Sequence, residues 1–345
     1  MARRGPVRKN IRSGVASLIA LAALACTAGC STEDAPKAPV RFGDSPGTAS
    51  RKAAPPGKRS LALMPTHPIS FKEQRRVGGA GGNTPIGVTT YRGPKSGFTG
   101  KVWVWAPPEY YEKRNADKGF PVMVALPGGP GYPVNYWIGA DLKLEENLAR
   151  WSKEGKSLPF IVVMPVLNPD ARQYYDGSDI PGQPKIGTWL SQDVPDLVRA
   201  NFRTLNTRKG WAMMGSSSGG FVSLKNALQY PDKFAVAIPN GPDIVPDSPL
   251  WNGHARQQRE NNPEVLAQRL IRKGGPEVYL AFQDGTGEGT VLPKVRKFLA
   301  RYGRGPVRTR LQLVPGGTHS AHTYVEGMGL GTIQWVSAHM QGPAA

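Results

Sequence analysis

One pentapeptide, Gly215-Ser216-Ser217-Ser218-Gly219, constrains the fold of this chain more than any other feature. A short apolar run at 211–214, suited to a buried strand, precedes it. Phe221, Leu224 and Leu228 follow at helical spacing until Tyr230-Pro231 closes the pattern. A strand that enters a helix through so tight a turn forces strained dihedrals on the central residue. Glycines two positions to either side relieve the crowding. Of the three serines only Ser217 has both glycines; Ser216 and Ser218 would need them at positions occupied by methionine or serine. The turn lifts the Ser217 hydroxyl above the sheet edge, and the helix N-terminus aims backbone N–H groups at any negative charge that forms there. A Ser/Gly-rich turn without chemistry is the plain alternative, and the strand and helix around it favour the nucleophile.

The rest of the chain alternates in the same way. The segment 100–108, GKVWVWAPP, has the two-residue alternation of a half-buried antiparallel strand. The continuous apolar runs at 120–129 and 159–166 suit strands buried on both faces of a mainly parallel sheet. Amphipathic helices are expected over 141–156 and 189–202, further strands over 234–240, 277–284 and 308–317, and a closing helix over 328–340. Such alternation predicts an α/β fold built on a doubly wound, mainly parallel sheet. The Gly-rich 77–87 lacks the strand-then-helix setting of a dinucleotide site and reads as a loop. The segment 242–275 reads as a lid-like insertion, and Tyr132, Trp137 and Trp251 are candidates for an apolar pocket.

The N-terminus carries Arg3, Arg4, Arg8, Lys9 and Arg12, then an apolar run to Ala25, the pattern of a secretory signal. Thr27-Ala28-Gly29-Cys30 resembles the lipobox of bacterial lipoproteins, with Thr27 where leucine is commonest. That resemblance implies lipidation of Cys30 and an anchor at the outer face of the membrane; ordinary cleavage and secretion is the alternative. Cys26 and Cys30 are the only cysteines, so a mature chain beginning at Cys30 forms no internal disulfide. The expected organisation is a signal over 1–30, a Pro-, Gly- and charge-rich disordered linker over 31–68 and one domain over 69–342. The formal charge is +19, and +14 without the five basic signal residues. The remaining Lys and Arg are scattered, with no basic helix or zinc pattern. An anionic envelope surface is therefore the expected partner, and nucleic acid is not.

Five landmarks in order, PPEYY, PVMVALPGGPG, WLSQDVPDLVRANFRT, GSSSGGFVSLKNALQYPDKFAVAI and PGGTHS, resemble the α/β-hydrolase fold over about residues 98 to 340. Within it they resemble the esterase D-like group of S-formylglutathione hydrolases, enterochelin-type and feruloyl esterases and mycolyltransferases. The resemblance implies a triad in the order Ser, acid, His. His319, after the last expected strand, is the implied base, with His322 the alternative. Asp284, directly after the apolar run 278–282, is the implied acid; Glu288 in the same loop and, less so, Asp243 are alternatives. DGTGEG at 284–289 lacks calcium-ligand spacing. The oxyanion hole implied is the N–H of Ser218 with that of Gly129, since Pro127 and Pro130 have none to give. The function expected is an exported serine carboxylesterase forming an acyl-enzyme on Ser217 from a small-molecule or lipid ester, without metal or organic cofactor. An acyltransferase passing the same acyl group to a sugar or lipid hydroxyl, and a non-catalytic surface binding protein, are the alternatives.

Overall fold

A computed structural model describes residues 39–43 and 60–345. The signal, Cys30 and most of the expected linker lie outside the described residues.

Nine strands form one sheet: β1 Lys72–Val77, β2 Thr84–Arg92, β3 Thr99–Trp105, β4 Val122–Leu126, β5 Ile161–Pro165, β6 Trp211–Ser216, β7 Val236–Asn240, β8 Val278–Gly285 and β9 Val307–Val314. Their order is β9-β8-β7-β6-β4-β5-β3-β2-β1. The six strands from β9 to β5 are parallel, and β3, β2 and β1 join antiparallel at the β5 edge. This is the doubly wound sheet expected, and the apolar runs behave as fully buried strands must. Alternate residues of one strand enter opposite cores. Met123, Val162 and Met214 pack on one face, and Val124, Val163 and Met213 on the other. Each such side chain contributes about 1.5–3 kcal/mol by leaving water.

The chain leaves β4 for β5 on one side and then returns to β6 on the other. At such a reversal the connections diverge and open a crevice beyond the carboxyl ends of the strands. The Ser217 turn follows β6 and the Pro127–Gly131 loop follows β4, so both border that crevice.

Two expectations change. The Gly-rich loop is shorter than 77–87: a single 3-10 turn at Gly79–Gly81 is followed by β2, which pairs with β1 in an unforeseen hairpin. Part of the expected linker also belongs to the fold. Val40 bridges Phe71, and Phe42 is buried against Phe71 and Phe202 with ring centroids 5.4 and 4.7 Å away. A lone aromatic in a Pro/Gly-rich stretch is enough to dock it, because its buried area outweighs the ordering of a few residues. Residues 62–63 pair likewise with 204–205 in a small antiparallel ribbon.

Candidate active site

Ser217 joins β6 to the helix α1, Ser218–Gln229, with φ 54° and ψ −121°, a conformation L-residues rarely adopt. The flanking glycines explain how the turn survives. A Cβ on Gly215 would stand 2.3 Å from the Gly219 carbonyl oxygen, and one on Gly219 would stand 2.4 Å from that of Pro127. Both are impossible contacts, so the pentapeptide spacing is a packing requirement. The Ser217 N–H donates to the Asn240 carbonyl at 2.9 Å, tying the turn to the end of β7.

His319 follows β9 in a loop braced from both ends. The Gly316 N–H donates to Thr286 Oγ1 at 2.8 Å, and the Thr318 N–H to Thr323 Oγ1 at 3.1 Å. Ser320 caps the helix α2, Ala321–Gly327, accepting from the Thr323 N–H. The His319 ring is half exposed, and its Nδ1 lies 2.7 Å from Oε2 of Glu288, whose side chain is buried. With the carboxylate ionised, Nδ1 carries the proton and donates, which leaves Nε2 as the acceptor a serine hydroxyl needs.

The carboxylate bonded to His319 is therefore Glu288, not Asp284 as expected. As expected of a strand over 277–284, the β8–β9 ladder runs through Gln283 and Asp284, and it continues to Gly285, opposite Gln312, Leu313 and Val314. Asp284 is thus held inside the sheet, fully buried, with neither carboxyl oxygen hydrogen-bonded. The chain then turns through Gly285-Thr286-Gly287. A Cβ on Gly285 would meet the Gly317 carbonyl oxygen at 2.2 Å, and the Gly287 N–H donates to that same oxygen at 2.9 Å. The acid loop so lies directly on the histidine loop, and Glu288 is the residue delivered.

Electrostatics separate the two carboxyls. Burial alone would raise Glu288, but its bonds to His319, the Gly285 N–H and Tyr324 outweigh that and hold it below the usual range. Asp284 is pushed up to about 8, chiefly by burial and then by the Glu288 charge, so it is a neutral acid at pH 7. His319 is raised by its bond to Glu288 against the opposing effect of burial. Asp243 is raised by burial and by Asp247, and among the described residues it makes no hydrogen bond to His319.

His322 stands at the rim, 3.6 Å from Asp141 with both side chains exposed, and takes no part in the Glu288 network. Two tyrosines went unforeseen. Tyr324, buried, donates to the Glu288 carboxylate at 3.0 Å, and its oxygen is 2.9 Å from His319 Nδ1. Tyr136 reaches the β4 loop from a neighbouring turn. Tyr324 lies five residues past His319, one helical turn into α2, which is the one local signal it offers. Of the expected pocket aromatics, Trp137 and Trp251 are core: their indole N–H groups donate to the Leu126 carbonyl and to Asp176. Tyr132 is exposed.

Ser217 and His319 line one cavity of about 450 Å³ with Gly128, Gly129, Tyr136 and Leu142. Among the described residues neither the Gly129 nor the Ser218 N–H meets a protein acceptor. The Ser218 hydroxyl donates to the Gly129 carbonyl at 2.7 Å, locking the two expected oxyanion donors to each other. No group of three or more His, Cys, Asp or Glu among the described residues is placed to hold a metal ion.

Residues 100–335, more than half of the chain, match the family described as "Putative esterase". A curated but uncharacterized protein of Corynebacterium glutamicum is 25% identical over 192 residues, 52% of this chain and 43% of that protein. The chain thus spans less than half the length of that relative. Solved structures share the fold at low identity. A ferulic acid esterase superposes with TM-score 0.61 at 14% identity, over 74% of this chain and 98% of its own. The S-formylglutathione hydrolase of Agrobacterium tumefaciens gives 0.59 at 16%, over 78% and 99%. The feruloyl esterase module of Clostridium thermocellum, in complex with sinapinate, gives 0.57 at 16%, over 83% and 98%. The strand order, the turn at Ser217 and the family match agree: the chain belongs to this esterase family and has the α/β-hydrolase fold.

Proposed function

We propose that the protein is an exported, lipid-anchored carboxylesterase working through an acyl-enzyme on Ser217. The observation that carries the mechanism is the 2.7 Å bond from His319 Nδ1 to buried Glu288, with Ser217 in its strained turn on the same cavity. Ser217 Oγ bonds to the ester carbonyl carbon, its proton passes to His319 Nε2, and the carbonyl π pair moves onto oxygen. The Gly129 and Ser218 N–H groups receive that oxyanion, each such donor contributing about 3 kcal/mol to the transition state. Glu288 stabilises the imidazolium. Collapse expels the alcohol with the proton from His319, and a water then repeats the sequence to release the acid and restore Ser217.

The anchor rests on the Thr27–Cys30 pattern and the basic, then apolar, segment before it. Among the described residues no helix is long and apolar enough to cross a membrane. The deciding experiment is labelling of the folded domain by a fluorophosphonate, with Ser217→Ala alongside. Labelling that vanishes in the variant supports the acyl-enzyme. A folded native protein that does not label refutes it and favours a binding role. Product appearing on an added glycoside in place of free acid would make the enzyme a transferase.

A further inference from the structure

Tyr136 opens a single 3-10 turn, Tyr136–Ile138, clamped over the ends of two central strands. The side-chain amide of Asn135 donates to the carbonyls of Ala125 and Pro165, both at 2.9 Å, and its oxygen accepts the Trp137 N–H at 3.0 Å. From this fixed base the phenol reaches the oxyanion loop. Its oxygen accepts the Gly128 N–H at 2.7 Å and makes a short hydrogen bond with Ser216 Oγ. Gly128 lies against the nucleophile, since a Cβ there would stand 3.2 Å from Ser217 Cβ. The phenol is therefore bonded to the neighbour of one expected oxyanion donor and to the neighbour of the nucleophile, on the wall of the cavity.

Proton accounting shows what it has left to give. Tyr136 and Ser216 each bring one hydroxyl proton. The Gly128 N–H occupies one acceptor site of the phenol, and the two hydroxyls share one contact. One proton is spent in that contact, and the other has no acceptor among the described residues. Both residues line the cavity. When negative charge forms on a substrate oxygen, the stronger donor gains most by turning to it, because charge-assisted hydrogen bonds are about twice as strong as neutral ones. The phenol is the stronger donor, and rotation of the Ser216 hydroxyl to donate to Tyr136 frees it.

We propose that Tyr136 is a catalytic residue, a side-chain donor to the oxyanion beside the N–H groups of Gly129 and Ser218. The proposal rests on the acyl-enzyme at Ser217. As Ser217 Oγ bonds to the carbonyl carbon and its proton passes to His319, the carbonyl pair moves to oxygen. The Tyr136 O–H donates a hydrogen bond to that oxygen and keeps its proton throughout. On collapse the pair returns to the C=O bond. The site suits a donor that must stay protonated, since burial raises the phenol above its ordinary value.

The test compares Tyr136→Phe, and 3-fluorotyrosine incorporated at position 136, with the native enzyme. Two quantities are read: kcat and KM on a short-chain p-nitrophenyl ester, and the inhibition constant of a trifluoromethyl ketone, which adds Ser217 to form a stable oxyanion. Tyr136→Phe is expected to lose about 10²-fold in kcat with KM little changed, and to bind the ketone correspondingly less well. The fluorinated phenol separates donation from mere support of the loop. It is a better donor and a poorer acceptor, so a direct oxyanion contact tightens the ketone, whereas a role confined to accepting from Gly128 weakens it. Wild-type kcat in Tyr136→Phe, or weaker ketone binding by the fluorotyrosine enzyme, overturns the proposal. If Tyr136→Phe does not fold, the fluorotyrosine enzyme decides alone. Failure of native Ser217 to take a fluorophosphonate overturns the acyl-enzyme as well, and so is told apart from failure of Tyr136 alone.

Discussion

Glu288→Gln and Asp284→Asn make the same chemical change four residues apart, and the structure assigns them opposite consequences. Glu288 Oε1 is fixed by the Gly285 N–H at 2.8 Å. A glutamine must keep an oxygen there, which turns its amide NH2 toward His319 Nδ1. That nitrogen must then accept, and the ring proton moves to Nε2, the atom that should take the Ser217 proton. A triad with the wrong tautomer loses about 10⁴-fold in kcat, roughly 5 kcal/mol of transition-state stabilisation. Asp284 is already neutral at pH 7, because its carboxyl is pushed up to about 8, and it donates nothing to His319. Asp284→Asn is expected to stay within about tenfold of the native rate, as a change outside a reacting unit does. The pH profiles separate the two further. Bonding to Glu288 raises His319, so the acid limb of kcat/KM lies above the ordinary histidine value and moves down in Glu288→Gln. Stability carries a second signature. Unfolded Asp284 loses its proton near pH ~4 and the native one only at about 8, so the unfolded chain binds fewer protons in that window. This group then costs stability as pH rises across the window, and nothing below it. Asp284→Asn removes that slope, which urea titrations at several pH values measure. Hydrolysis of a p-nitrophenyl ester supplies the rates. A loss in Asp284→Asn as large as that in Glu288→Gln refutes the reasoning.

Ser217→Gly should be more stable than Ser217→Ala by about 1–2 kcal/mol in urea unfolding, because only glycine occupies φ 54°, ψ −121° without strain; equal midpoints mean that the turn stores none. Cys30→Ala, in cells that express the full chain, should move the protein from the membrane fraction to the soluble one, and retention in the membrane contradicts the lipid anchor.

How far the site could be read in advance follows from how local each requirement is. The Ser217 turn was legible because one of its glycines answers to a clash within five residues, a Cβ on Gly215 against the Gly219 carbonyl, although Gly219 itself lies against the distant Pro127 carbonyl. His319 was legible because a base loop needs only a strand end before it, and β9 stops at Val314. The acid was not, and the reason is physical. A strand ends where its ladder ends, and polar residues continue a ladder when partners exist inside the sheet. The Gln283 amide donates to Asn240 Oδ1 at 2.6 Å and to the Tyr324 carbonyl at 3.2 Å, so a polar strand residue is satisfied in the core. Both partners lie about forty residues away, so no window on 277–289 reveals them. The ladder holds Asp284 inside the sheet, and the imidazole bonds to Glu288 beyond the turn. Tyr136 was hidden in the same way, because its contacts to Gly128 and Ser216 join the β4 loop to the end of β6, 80 residues away. The trade is instructive: the atoms that attack and accept a proton are set by local geometry. Those that tune them are set by which segments the strand-order reversal brings together.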